Sequence, residues 1–304
     1  KDQMNGFEED TMTSHRTAMK AMKGLVLLTA VFVAAGGAAV KADAPQGAVT
    51  LAYQFPEGRT LTYRTASTQI QNMEVMGQAM TTESVSSSDF TIKGKGLKDG
   101  NLVLGVTIDA MKADVSSPQG NLSPDLSPVI GKAFDMIVSK LGQEIDVSGA
   151  EALKYDTPTG GSRDLSSGFQ AFFSNLPDKP VKIGDTWPSE DTIIQKEGMG
   201  ETRLHFTNEN AFDGIETVDG YECARIKTVV KGTITGSLDQ QGVGVSIEMK
   251  MDGTDTWYFA IKEGIYVKSE MKAAMGGVVA VGEPANMTIP VTGETRQSSS
   301  LVKK

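Results

Sequence analysis

Alternation is the property of this chain that most restricts what it can fold into. Val243, Val245, Ile247, Met249 and Met251 are interleaved with Gly244, Ser246, Glu248, Lys250 and Asp252. Successive side chains of a strand point to opposite faces, so the pattern specifies a β-strand with one greasy and one wet side. Leu102, Leu104, Val106, Ile108 and Ala110 repeat it, and Ile265, Val267, Ser269 and Met271 repeat it against Tyr266, Lys268, Glu270 and Lys272. Strands covered on both faces, as in parallel sheets, read as unbroken apolar runs; half-solvated ones predict an antiparallel sheet. Asp99-Gly100, Asp219-Gly220 and Asp252-Gly253 offer the positive-φ residues of tight hairpins. With Glu263-Gly264 set between Trp257–Ile261 and Ile265–Val267, residues 204–275 read as a meander of strands.

Two helices are expected to interrupt the strands. Ser127-Pro128 forms an N-cap followed by proline at the first helical position. Val129, Ile130, Ala133, Phe134, Ile137 and Leu141 then share one helical face before Gly142. A second helix is expected over about 164–175, with Leu165, Phe169, Phe172 and Leu176 at helical spacing and Pro177 as its stop. The fold class predicted is mainly β (α+β): a curved antiparallel sheet or half-barrel with helices 128–141 and 164–175 packed on it. Thr157-Pro-Thr-Gly-Gly161 reads as a hinge between two β-rich halves, 43–160 and 161–304.

Met19-Lys-Ala-Met-Lys23 precedes an apolar run from Gly24 to Val40, closed by Val40-Lys41-Ala42. Basic residues, a short greasy stretch and small residues at the −3 and −1 positions make up a secretory signal peptide. The expectation is translation from Met19 or Met22, residues 1–18 being upstream, and cleavage after Ala42. The protein would then be periplasmic or secreted, with no stable membrane span. The alternative is a retained anchor, since a run of about 17 residues approaches the length needed to cross a ~30 Å hydrocarbon core. The cysteine of a lipid-attachment box is missing near the junction.

Composition narrows the chemistry. A formal net charge of −9 is repelled by phosphate backbones, which argues against nucleic-acid partners. One cysteine, Cys223, makes no internal disulfide, and His205 is the one histidine beyond the leader. There is no G-x-S-x-G, H-E-x-x-H, P-loop or C-x-x-C. The chain is therefore read as not an enzyme, without cofactor or metal. A hydrolase built on two carboxylates stays open, because such residues need no local spacing. His205 lies between Leu204 and Phe206 and so faces the other side of its strand, and Cys223 reads as a small packed residue. Acidic pairs such as Asp252 with Asp255 lack the spacing of a calcium loop and read as solvated turns.

The stretch Phe169-Gln-Ala-Phe-Phe through Leu176-Pro-Asp-Lys-Pro-Val-Lys-Ile-Gly-Asp-Thr-Trp187 resembles a family of exported bacterial β-rich proteins of unknown function. Its members carry a Pro-x-x-Pro-Val-x-x-Gly-Asp-x-Trp sequence. The resemblance extends through the Tyr63 segment, Gly142–Gly149 and the Trp257–Val267 hairpin, and it implies a fold and a compartment but no catalytic residues. A second likeness, of architecture alone, is to the lipoprotein-carrier half-barrels of bacterial envelopes.

Methionine is abundant: eleven of fifteen lie beyond Ala42, clustered at Met73, Met76 and Met80, at Met249 and Met251, and at Met271 and Met275. Thioethers fill cores, line adaptable greasy surfaces and ligate soft copper. Core packing is the plain reading, an apolar ligand the next. The functional expectation is an apolar ligand, a lipid or lipidated segment, on the concave face of the sheet, with Phe134, Met136, Phe169, Phe172 and Trp187 lining or plugging the site. The competing class is a structural module that binds another envelope protein by sheet-edge pairing.

Overall fold

Period two wins along almost the whole chain. The computed structural model describes residues 40–41, 47–118, 120–158, 161–197, 200–240 and 242–302. Apart from Val40 and Lys41, the predicted export segment lies outside them. The strands in chain order are β1 (Val40–Lys41), β2 (Thr60–Val75), β3 (Gln78–Lys98), β4 (Asn101–Ser117), β5 (Gly120–Asn121), β6 (Ala133–Val138) and β7 (Glu144–Asp146). One short helix follows, α1 (Ser148–Glu151), then the small hairpin β8 (Lys154–Asp156) and β9 (Ser162–Asp164), and a single 3-10 turn at Ser166–Gly168. The second half is β10 (Thr186–Glu197), β11 (Gly200–Val218), β12 (Tyr221–Gln240), β13 (Val243–Ala260), β14 (Ile265–Val281) and β15 (Met287–Leu301).

Apart from β8 and β9, which pair with each other, these strands form one large antiparallel sheet, ordered β10-β11-β12-β13-β14-β15-β2-β3-β4-β6-β7, with β1 on β11 and β5 on β4. A twenty-residue strand such as β12 spans about 65 Å. Hairpins at Asp99-Gly100 and Asp219-Gly220 have positive φ at both residues, as predicted, and Met76-Gly77 makes a third of the same kind. β15 and β2 carry the sheet from the late strands to the early ones, paired in register at Leu301 and Tyr63. Gly293 allows them to close up: a Cβ there would sit 2.7 Å from the Ile70 carbonyl oxygen.

One face of the long strands is buried although, among the described residues, only the three-residue strands of the β8–β9 hairpin and the 165–176 strap add to its cover, with no long helix. A lone flat sheet would leave that face wet, so the sheet must curl over its own inner surface. The inner face carries three zones. At one end Tyr63, Phe90, Trp257, Phe259 and Tyr266 form an aromatic core with Phe169, Phe172 and Phe173. At the other, Met249, Met251, Met271 and Met275 pack with Ile247, Val279 and Ile289. Between them runs a band of buried polar residues, including Thr65, Ser67, Gln69 and Gln71 on β2, Asn210, Thr228, Ser269, and Thr295, Gln297 and Ser299 on β15.

The two predicted helices are corrected. Residues 133–138 form β6 on the edge of β4, and 144–146 form β7. Phe134, Met136 and Val138 are the buried positions of β6, a two-residue repeat that shares only Phe134 with the expected helical face. Beyond Asp164, the last residue of β9, residues 165–175 hold only the 3-10 turn, other turns, bends and irregular backbone, running across the aromatic end of the sheet. Asp252-Gly253 is also not a turn: both lie in mid-strand on β13.

An extended N-terminal stretch completes the aromatic end. Val49 bridges Val181, the Tyr53 amide donates to the Lys140 carbonyl, and the Gln54 amide donates to Gly264. Gln170 caps the free edge of β10, accepting from the Ile194 amide at 2.6 Å and donating to the Ile194 carbonyl at 3.3 Å. A side-chain amide thus stands in for a neighbouring strand, blocking the edge where another chain would add.

Candidate functional site

The polar band opens into a cavity of about 110 Å³ beneath residues 171–175. Cross-strand register explains its composition. Asn210 opposes Trp187, Thr228 opposes Asn210, Asp255 opposes Thr228, Met271 opposes Asp255, and Gln297 opposes Met271. One row of inward positions, one residue from each of six adjacent strands, therefore carries four polar groups into the interior.

Most of these groups are tied together. Trp257 Nε1 donates to Thr228 Oγ1 at 3.0 Å, Thr228 donates to Asn210 Oδ1 at 2.7 Å, and Asn210 Nδ2 donates to the Trp187 carbonyl at 3.2 Å. Asp191 accepts at one oxygen from Asn175 (2.6 Å) and at the other from Asn208 (3.1 Å). The chain of bonds stops at Asp255. Its Oδ1 is sealed from solvent without a partner, as is Gln297 Oε1. A buried, unpaired polar atom costs on the order of 1–3 kcal/mol, so two in one cavity are a penalty the packing alone does not account for.

Burial dominates the electrostatics. It raises the Asp255 carboxyl to about 7, against hydrogen bonds from the Thr256 and Glu270 backbone that favour the ionised form. It also raises Asp191, against the Asn175 and Asn208 bonds. Glu144 of β7, which accepts from the Phe173 amide at 3.0 Å, is pushed up to about 8 by the same desolvation. The lining residues include no lysine or arginine.

The five residues expected from sequence are all buried at the aromatic end. Phe172 lines the cavity itself and stands edge-on to Phe90, Tyr63 and Phe173. Phe169 contacts Phe90 and Phe134 edge-on, and Met136 lies on β6 two residues beyond Phe134. Trp187 donates from Nε1 to the Asn175 carbonyl at 3.0 Å and meets Trp257 edge-on at 6.5 Å, bracing the strap over the cavity. Sequence reasoning missed Asp255, Asn210, Thr228, Gln297 and Asp191. Asp255 had a legible signal: it shares the parity of Met249, Met251 and Trp257 and so points inward. His205 lies on the outer side, its Nδ1 3.2 Å from Thr192 Oγ1, and Cys223 is buried with its thiol pushed up to about 12, chiefly by desolvation. Among the described residues there is no group of three or more His, Cys, Asp or Glu placed to hold a metal ion, and no helix long and apolar enough to cross a membrane.

What the fold and cavity define is a single curled antiparallel sheet with a layered interior. No family model matches the chain, and no curated protein does. Among solved structures it is similar to an outer membrane channel from Pseudomonas putida F1, at 10% identity over 86% of this chain and 100% of that one, with a TM-score of 0.26. OmpT, an outer membrane protein of Vibrio cholerae, aligns at 10% identity over 80% and 97% with a TM-score of 0.18. A DUF1329 family protein from Desulfovibrio piger aligns at 11% over 78% and 85% with a TM-score of 0.13. Likenesses this distant carry no weight for function, which has to come from the chain's own geometry.

Proposed function

We propose that the chain is a non-catalytic, exported protein of the bacterial envelope that holds an apolar ligand, a lipid or lipidated segment, against the concave face of a half-barrel. The observation that supports this reading is the junction of the 110 Å³ cavity with a methionine-rich inner face. Ile193, Phe206, Val230 and Met271 line the cavity and belong to that apolar cluster. Thioether side chains repack at little cost, so a chain-like ligand entering from the cavity can displace them. The aromatic end, by contrast, is pinned by hydrogen bonds and ring contacts and serves as the closed floor. Edge pairing with another protein has less support, because β7 is three residues long and Gln170 occupies the edge groups of Ile194 on β10. Native mass spectrometry of protein purified from its own host is the test. A co-purifying mass that organic extraction removes is expected; its absence, together with no binding of an apolar fluorescent probe, would sink the reading.

A further inference from the structure

The cavity is a worse fit for a purely apolar group than for one particular kind of polar end. Its two unpaired buried atoms, Asp255 Oδ1 and Gln297 Oε1, are both acceptors. Gln297 is only 4% exposed, so its amide is held inside the sheet. A second carboxyl, Asp191, lies in the same lining, and no lysine or arginine lines the cavity beside either acid. Aromatic faces and edges complete the wall: Phe172, Phe206, Trp257 and Tyr266. Carboxyls and aromatic rings around one cavity are the recognition chemistry of an ammonium group, which donates to the oxygens and is attracted by ring faces. An anionic head would meet two acids and no donor of charge. Size agrees, since a 150 Å³ cavity accepts benzene and 110 Å³ therefore takes a group of about five heavy atoms.

Resting on the ligand class proposed above, we propose that this cavity is a head-group site for a primary amine, held by Asp255 and Gln297 beneath the 171–175 strap, with the apolar chain leading into the methionine-rich zone. The site selects amine-headed amphiphiles over neutral or anionic ones of the same chain length. Burial supports the assignment: desolvation raises the Asp255 carboxyl against its backbone hydrogen bonds, and an ammonium beside the unpaired Oδ1 would offset that cost.

Trp257 lines the cavity and Trp187 touches it edge-on, and the chain has only these two tryptophans, so intrinsic fluorescence reports occupancy directly. The titration compares dodecylamine, dodecanol and dodecanoate below their micellar concentrations at pH 8. Dodecylamine is expected to bind at least tenfold more tightly than dodecanol, and dodecanoate more weakly than either. Asp255→Asn should erase the preference for the amine. In the native protein, butylamine should displace dodecylamine where butanol at the same concentration does not, which tests the head-group contact without a variant. Equal binding of amine and alcohol would overturn the head-group assignment and leave the apolar reading standing. Binding of none of the three would remove both.

Discussion

At one end of the interior Tyr53, Phe90, Phe169, Phe172 and Phe173 meet edge to face at centroid separations of 5.0 to 5.2 Å, and the Tyr53 and Tyr63 hydroxyls are bonded to the Ser174 and Tyr266 carbonyls. At the other end, Met249, Met251, Met271 and Met275 pack with valines and isoleucines. Rings have two side-chain torsions and a preferred mutual geometry; a methionine has three soft torsions and no preferred partner. The same sheet, coiled once, thus carries a zone that holds its shape and a zone that can change it. The polar cavity lies at their boundary, where the first can position it and the second can give way.

The largest effect expected from this difference is on packing. Phe90→Ala removes a fully buried ring that contacts Phe169 and Phe172, and should cost about 3–5 kcal/mol, a fall in melting temperature of roughly 10 °C for a chain of this size. Met249→Ala should cost less, because its neighbours can collapse into the space. Equal losses in denaturant melts would break the contrast between the two ends.

A smaller effect sits at the boundary and depends on pH. The Asp255 and Glu144 carboxyls are raised to about 7 and about 8 in the folded protein, whereas their ordinary values are 3.8 and 4.5. Tyr266 and the Glu270 carboxylate face Asp255, and Asp191 faces Glu144; none of these supplies positive charge. Between those limits the folded state holds protons that the unfolded chain releases, so this stability is complete below about pH 4 and is lost as pH rises through 7 and 8. The protein should therefore be more stable at pH 5 than at pH 8. Asp255→Asn should recover about 2–3 kcal/mol more at pH 8 than at pH 5. Chemical denaturation at both values measures this, and a native protein whose stability rises from pH 5 to 8 would refute it.

The smallest effect sharpens the adaptable side. Met249→Leu keeps volume and polarity nearly constant, so it should change stability by less than about 1.5 kcal/mol in a urea melt. A larger loss would mean that the methionine zone is fitted as closely as the aromatic one.

Much of the strand framework is readable residue by residue, and the failures have a common origin. Residues 128–141 satisfy both a helical and a strand period, because Phe134 belongs to each. Strand prevails because β4 offers an unpaired edge, and Val106, Leu104 and Leu102 of that edge register with Phe134, Met136 and Val138. Asp252-Gly253 has the letters of a hairpin turn, yet Gly253 serves another purpose: a Cβ there would lie 2.6 Å from the Ala273 Cβ, so the glycine permits β13 and β14 to approach. Those letters make Asp255 look like a solvated turn residue, although its parity already places it inside.

By itself the sequence determined the antiparallel sheet, most of its long strands and which side chains of each face inward, because alternation and hairpin chemistry act over a few residues. Only the tertiary structure decided that 133–138 joins the sheet, that the inner face closes on itself, and that Asp255, Gln297 and Asn210 share one cavity. Those outcomes depend on which strands lie side by side, and register between residues as far apart as 187 and 297 is set by pairing across the whole sheet, not by any local pattern.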